Sequence, residues 1–241
     1  MIKQLPNFIT LLNLFCGILS IISVFEGELW YASIFILIAS VFDFMDGFAA
    51  RLLNAYSEIG KQMDSLADLV SFGLAPAFIL HQLMKTSWNY EQLWLPEFSL
   101  LTFIVFLPFL VALFSALRLA KFNVDENQTS SFIGLPTPAS ALFIASLPLI
   151  IQFDGGTISW FFEHPHFLIA VSVFIPALLV SRLPLFSLKF KNFSFADNKI
   201  RFTFLGICLI LLITLHFVSI PFIIVTYVGL SVVENIFVKE K

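Results

Sequence analysis

Charge is what this sequence has least of. Asp, Glu, Lys and Arg make up 12% of its 241 residues, against roughly 25% in an ordinary soluble domain. A chain so poor in charge cannot cover itself with a water-facing surface, which excludes a soluble globular protein. Basic runs are missing too, and with a net charge of -3 nothing offers a footing for a nucleic-acid backbone. Cysteine is limited to Cys16 and Cys208, both inside apolar stretches. That argues for inert buried thiols rather than a disulfide or a metal site, and leaves the redox compartment unreadable. Internal repeats, low-complexity tracts and a soluble domain are likewise lacking.

What is present is apolar length. Hydrophobic residues amount to 59% of the chain, gathered into stretches near the roughly 20 residues that cross a bilayer as a helix. Spans are predicted near 8–25, 30–50, 63–84, 99–120, 135–152, 166–184, 201–216 and 219–237. The first lacks a small-residue cleavage site and is followed at once by another apolar segment, so it reads as a permanent span rather than a signal peptide. The last two come from one apolar run divided at His216 to Pro221. The expected fold is an all-α integral membrane bundle of about eight helices, one membrane domain over 1–241. Within it, 1–184 would form a six-helix core and 201–238 two additional C-terminal helices.

Basic residues sort by side in this arrangement. Lys3, Arg51, Lys61, Arg118, Lys121, Arg182, Lys189, Lys191, Lys199, Arg201, Lys239 and Lys241 share one face, 12 of the 13 in the chain. Only Lys85 faces the other way, where Glu26, Glu28, Glu91, Glu97, Asp154 and Glu163 lie. Lys and Arg accumulate in cytoplasmic loops, so both termini are expected in the cytoplasm.

Four acids stand out against this background. Asp43 and Asp46 are three apart near the cytoplasmic end of the second span, and Asp64 and Asp68 four apart at that end of the third. On a helix each pair shares a face, and an intramembrane carboxylate is costly unless paired or bound to a cation. Facing carboxylates repel, divalent metal relieves them, and an all-oxygen donor set favours Mg2+ or Mn2+ over zinc. The alternative is a salt-bridge network with Arg51 and Lys61. Gly47 and Gly60 permit close approach to the backbone, by a ligand or a packed helix. Arg51 supplies a planar cation suited to phosphate.

The segment FDFMDGFAARLLNAYSEIGKQMDSLAD reads DxxDGxxAR, eight residues, then GxxxDxxxD. This spacing resembles the CDP-alcohol phosphotransferases at every specified position. The resemblance implies that Asp43, Asp46 and Asp64 hold metal, in two ions, and that Asp68 is both a ligand and the base that activates the alcohol. It also implies that Gly47, Arg51, Ser57 and Gly60 contact the CDP moiety. PNFIT near the start resembles the family's entry to the first helix, making Asn7 and Thr10 nucleotide contacts; their other role would be helix capping. MDSLADLVSFGLAPA, ALRLAKFNV and FIGLPTPASA are similar to the serine-using branch of the family, the phosphatidylserine synthases. That branch implies CDP-diacylglycerol and L-serine as substrates, a homodimer, and a place in the cell (inner) membrane. Arg118 would then meet the serine carboxylate, or serve as a positive-inside anchor, and Asn123 would orient the substrate.

Two other readings stay open. An acceptor such as glycerol-3-phosphate would need more positive charge, which Arg182, Lys189 and Lys191 could supply. A cation- or proton-coupled transporter would also use paired carboxylates, but would not account for the glycine and arginine spacing. Glu163, His164 and His166 resemble a metal cluster yet fall in an opposite-side loop, and His81 and His216 are solitary; none of the four His is given a catalytic part. The 31 Phe residues are read as lipid-facing or packed core.

Overall fold

A computed structural model describes residues 4–89, 100–124, 132–154, 156, 158–186 and 198–239. Lys3, Glu91, Glu97, Lys189, Lys191 and Lys241 lie outside the described residues. The chain is a polytopic helical membrane protein. Among the described residues five helical stretches are long and apolar enough to cross a membrane, and two shorter apolar helices, Thr137–Phe153 and Pro165–Val180, join them.

Helix α1 (Leu5–Phe25) carries Pro6 in its first turn, where the fixed φ of proline fits. It turns through Gly27 at φ +81, a conformation glycine adopts freely, into α2 (Leu29–Leu52). The third span starts earlier than the hydropathy suggests. Helix α3 (Glu58–Asp68) passes through a π-helical stretch, Leu69–Leu74, into α4 (Ala75–Ser87) without a break. The fourth is α5 (Leu100–Phe106), a 3-10 turn at Leu107–Phe109 containing Pro108, and α6 (Leu110–Val124). Proline removes a ladder hydrogen bond there, which accounts for the interruption. Because α6 continues to Val124, Arg118 and Asn123 are both helical.

After strand β1 (Phe132–Ile133) come α7 (Thr137–Phe153), the short α8 (Ser159–Glu163), α9 (Pro165–Val180) and strand β2 (Pro184–Leu185). The two strands pair antiparallel, Phe132 with Leu185 and Ile133 with Pro184. Gly134, at φ +76, lies where a Cβ would fall 2.5 Å from the Leu179 carbonyl oxygen, so the chain seats itself against the end of α9 only with glycine. Helix α10 (Lys199–Leu215) and α11 (Ser219–Lys239) are separated by a 3-10 turn at His216–Val218, with His216 at φ +46, and pack against each other. The division at His216 is the one the sequence suggests.

The core forms around the α3–π–α4 rod. The π-helical stretch touches α1, α6 and α7, and Phe72, Ile36, Leu80, Ile144 and Leu147 are fully buried there. Polar ties reinforce it: Ser20 Oγ donates to the Ala32 carbonyl at 2.9 Å, joining α1 to α2. In lipid there is little hydrophobic gain between helices, so packing and such hydrogen bonds hold them together.

Candidate active site

The end of α2 and the start of α3 bring the acids together. The five residues 53–57 reverse the chain, helped by Asn54 at φ +47, which asparagine tolerates better than most residues. Ser57 then caps α3, its Oγ accepting from the Gly60 N–H at 3.0 Å. This short reversal lays the Asp43/Asp46 face against the Asp64/Asp68 face. Asp43, Asp64 and Asp68 each offer a carboxylate oxygen within 4.8 Å of the others. Asp46 and Asp68 are buried and the other two half-buried.

Asp46 lines the same site and is tied to α1. Thr10 Oγ1 donates to Asp46 Oδ2 at 2.6 Å and lies 3.0 Å from the Pro6 carbonyl. Thr10 is therefore inside the helix rather than capping it; the N-cap is Gln4. A second α1 residue, Asn13, donates from Nδ2 to Asp68 Oδ1 at 3.2 Å. Asn13 was not singled out in the sequence. Its signal was there, since Asn7, Thr10 and Asn13 recur every three residues on one face of an otherwise apolar helix.

A cavity of about 660 Å³ opens beside the carboxylates. Asn7, Thr10, Asp43, Asp46, Gly47, Ser57, Gly60 and Asp64 line it, so eight of the sequence candidates share one wall. Tyr56 and Lys61 line it as well. A Cβ at Gly47 would meet nothing within 4 Å, whereas one at Gly60 would sit 2.9 Å from Asn7 Oδ1. Gly47 thus leaves space and Gly60 permits close packing. Asp68 and Arg51 are not on this wall; Arg51 is exposed.

The salt-bridge alternative loses its partners. Lys61 Nζ donates instead to the Asn123 carbonyl at 2.9 Å. Among the described residues neither Lys61 nor Arg51 forms an ion pair with the four acids. Three carboxylates converging in a largely buried setting, with oxygen donors only, suit a hard divalent cation.

A second cavity, of about 320 Å³, is lined by Arg118, Lys121 and Arg182 together with Phe122, Ile133 and the end of α9. Arg118 is half-buried, its Nε has no hydrogen-bond partner among the described residues, and it lies within electrostatic reach of Asp68. Asn123 faces elsewhere: its Nδ2 donates to Ser65 Oγ at 2.8 Å, tying α6 to α3. His164 accepts from the His166 N–H at the start of α9 and acts as its cap. His81 is buried with Nδ1 2.7 Å from the Val105 carbonyl.

Several proteins of known name resemble this chain. A CDP-diacylglycerol--serine O-phosphatidyltransferase of Bacillus subtilis is 31% identical over 174 residues, covering 68% of this chain and 92% of that protein. One of Methanocaldococcus jannaschii is 34% identical over 151 residues, covering 63% of each chain. The archaetidylserine synthase of Methanothermobacter thermautotrophicus is 35% identical over 147 residues, covering 60% of this chain and 58% of its own. The matched stretch thus spans nearly all of the first relative and under two thirds of the other two. Residues 3–178, which carry both cavities except Arg182 and its neighbours, match the family CDP-alcohol phosphatidyltransferase, and the chain belongs to that family of phosphotransferases.

Proposed function

We propose that this protein transfers the phosphatidyl group of CDP-diacylglycerol to the hydroxyl of L-serine, giving phosphatidylserine and CMP. The observation that carries the reading is the convergence of Asp43, Asp64 and Asp68 within 4.8 Å, with Asp43 and Asp64 on the wall of a polar cavity and Asp68 within electrostatic reach of Arg118, which lines a second one. Asn7, Thr10, Gly47, Ser57 and Gly60 surround the CDP moiety in the larger cavity, and Arg51, one helical turn beyond Gly47, reaches its phosphates from the exposed end of α2. Asp43, Asp46, Asp64 and Asp68 hold the metal, and Thr10 fixes Asp46 for that task. Members of this family use divalent metal; two Mg2+ or Mn2+ ions bound here would neutralise charge on the diphosphate and on the departing CMP.

The serine oxygen forms a bond to the phosphorus that carries the diacylglycerol, and the bond from that phosphorus to the CMP oxygen breaks, its electron pair leaving with CMP. Asp68 takes the hydroxyl proton as attack proceeds, because the hydroxyl is too weak an acid to lose it beforehand. Arg118 holds the serine carboxylate by charge-assisted hydrogen bonds. Asn123 acts at one remove, by tying α6 to α3. The six helices up to residue 184 carry this chemistry within one membrane domain, and α10–α11 pack on its flank. The lipid tails stay in the bilayer while the head group meets the carboxylates from the cytoplasmic face of the cell (inner) membrane, and the enzyme is a homodimer.

A glycerol-3-phosphate acceptor remains the second reading, because Arg118, Lys121 and Arg182 on one small cavity also suit a phosphate. The ion-coupled transporter has no such support, since family membership accounts for the full spacing pattern. The deciding experiment follows CMP release from CDP-dioleoylglycerol in detergent. Serine, glycerol-3-phosphate, inositol and inositol phosphate are offered separately, with and without Mg2+ or Mn2+. Metal-dependent release with serine supports the reading; release with glycerol-3-phosphate alone replaces the acceptor, and no release with any of the four overturns it.

A further inference from the structure

Asp68 is reached from two sides, and only one of them is accounted for by the shared spacing of aspartates. On the other side stands Asn13, fully buried in α1, with Nδ2 on Asp68 Oδ1 at 3.2 Å. The backbone carbonyl of Asn13 accepts from Ser71 Oγ at 2.9 Å. Ser71 belongs to the π-helical stretch that begins directly after Asp68. A π stretch inserts one residue into a helical ladder and redirects what precedes it, a device frequent at functional sites. One turn beyond Asn13, Gly17 makes the approach possible, because a Cβ there would fall 2.8 Å from Ser71 Cα. Helix α1 and the π stretch are thus clasped at backbone distance, with Asp68 at the near end of the clasp.

The second observation concerns the other half of the amide. Asn13 Oδ1 is buried and has no hydrogen-bond partner among the described residues. An unpaired buried carbonyl is a cost to folding, so this side chain is poorly chosen for stability alone. Leucine, γ-branched like the amide, would fill the site without burying an orphan acceptor. What leucine cannot do is hold one oxygen of Asp68.

We infer that Asn13 is a positioning residue for Asp68. Its N–H engages Oδ1 and so sets the rotation of the carboxyl group, leaving Oδ2 for the cluster with Asp43 and Asp64 and for the acceptor hydroxyl. The inference rests on the reading of Asp68 as base and ligand. Outer hydrogen bonds of this kind orient the groups that do the chemistry, and losing one typically costs 10–100-fold.

The test compares wild type with Asn13→Leu in detergent, measuring serine-dependent CMP release, thermal melting, and the melting shift caused by CDP-dioleoylglycerol with Mn2+. The expected result is a kcat lower by about 10–100-fold, with the KM for CDP-diacylglycerol, the ligand-induced shift and the unliganded melting point all at or above wild-type values. Unchanged kcat, or a loss that appears in KM or follows a lowered melting point, overturns the inference. Should Asn13→Leu fail to fold, Ser71→Ala loosens the same clasp and leaves every side chain around Asp68 in place. A several-fold lower kcat at constant KM then supports the inference, and a constant kcat overturns it. An active wild type beside an indifferent variant removes this inference alone, whereas a wild type that releases no CMP removes the functional reading and this one with it.

Discussion

The α1–α3 layer and the α10–α11 hairpin both belong to stretches apolar enough to cross a membrane, yet they are built differently. The first buries Thr10, Asn13, Ser20, Ser33, Asp46 and Asp68 and satisfies most of them across helices. In the second, Phe204 is the buried residue of α10, while Leu209, Ile210 and Ile213 are largely exposed along it. The hairpin is held mainly through its turn and α11: Tyr227 Oη donates to the Phe186 carbonyl at 2.9 Å, Phe186, Phe204 and Tyr227 pack as a ring cluster, and Phe217 in the turn meets Phe153 of α7. Apolarity places a segment in the membrane; interhelical polar groups and small residues give it one partner and one register.

That contrast can be broken at its strong end first. Replacing Asp68 by Asn is expected to lower CMP release by at least about 100-fold, the scale of a lost general base, while CDP-diacylglycerol with Mn2+ still raises the melting point. Retained turnover would remove Asp68 from the chemistry. Arg118→Ala is expected to raise the KM for serine about 10-fold or more, the range of a lost charge-assisted hydrogen bond, with the KM for CDP-diacylglycerol unchanged. An equal rise for both substrates would make Arg118 an anchor instead.

Packing effects come next. Gly17→Ala drives a methyl into Ser71 and is expected to cost about 1–3 kcal/mol, read as a lowered melting temperature. In the hairpin, Tyr227→Phe removes one hydrogen bond to Phe186 and is expected to cost about 0.5–1.5 kcal/mol. Smallest of all, Ile213→Ala on the exposed face of α10 is expected to stay within about 0.5 kcal/mol of wild type. A hairpin variant that melts as low as Gly17→Ala would erase the distinction between the two regions.

Much of this was legible before any coordinates. Each predicted span has a helix over it, because a backbone in lipid must satisfy its own hydrogen bonds and an apolar run of that length has one way to do so. The aspartate pairs were legible because helical spacing fixes the face they share. Asn13 was passed over because its meaning depends on a partner 55 positions away. The sequence suggests a substrate contact at Asn123, yet its amide is taken by Ser65 and its carbonyl by Lys61. Nothing local distinguishes those roles.

By itself, then, the sequence determined which stretches form apolar helices and which four carboxylates pair on two helix faces, since both follow from period and length. Tertiary structure decided the rest. It drew three of those carboxylates within 4.8 Å and tied Asp46 beside them to Thr10, because α1 packs against α2 and α3 at a depth that no local pattern sets. It also gathered Arg118 and Arg182 onto one cavity, because the β1–β2 pairing brings the end of α9 against α6. Contacts between distant segments depend on how whole helices fit together, and that fit is a property of the packed bundle rather than of any stretch within it.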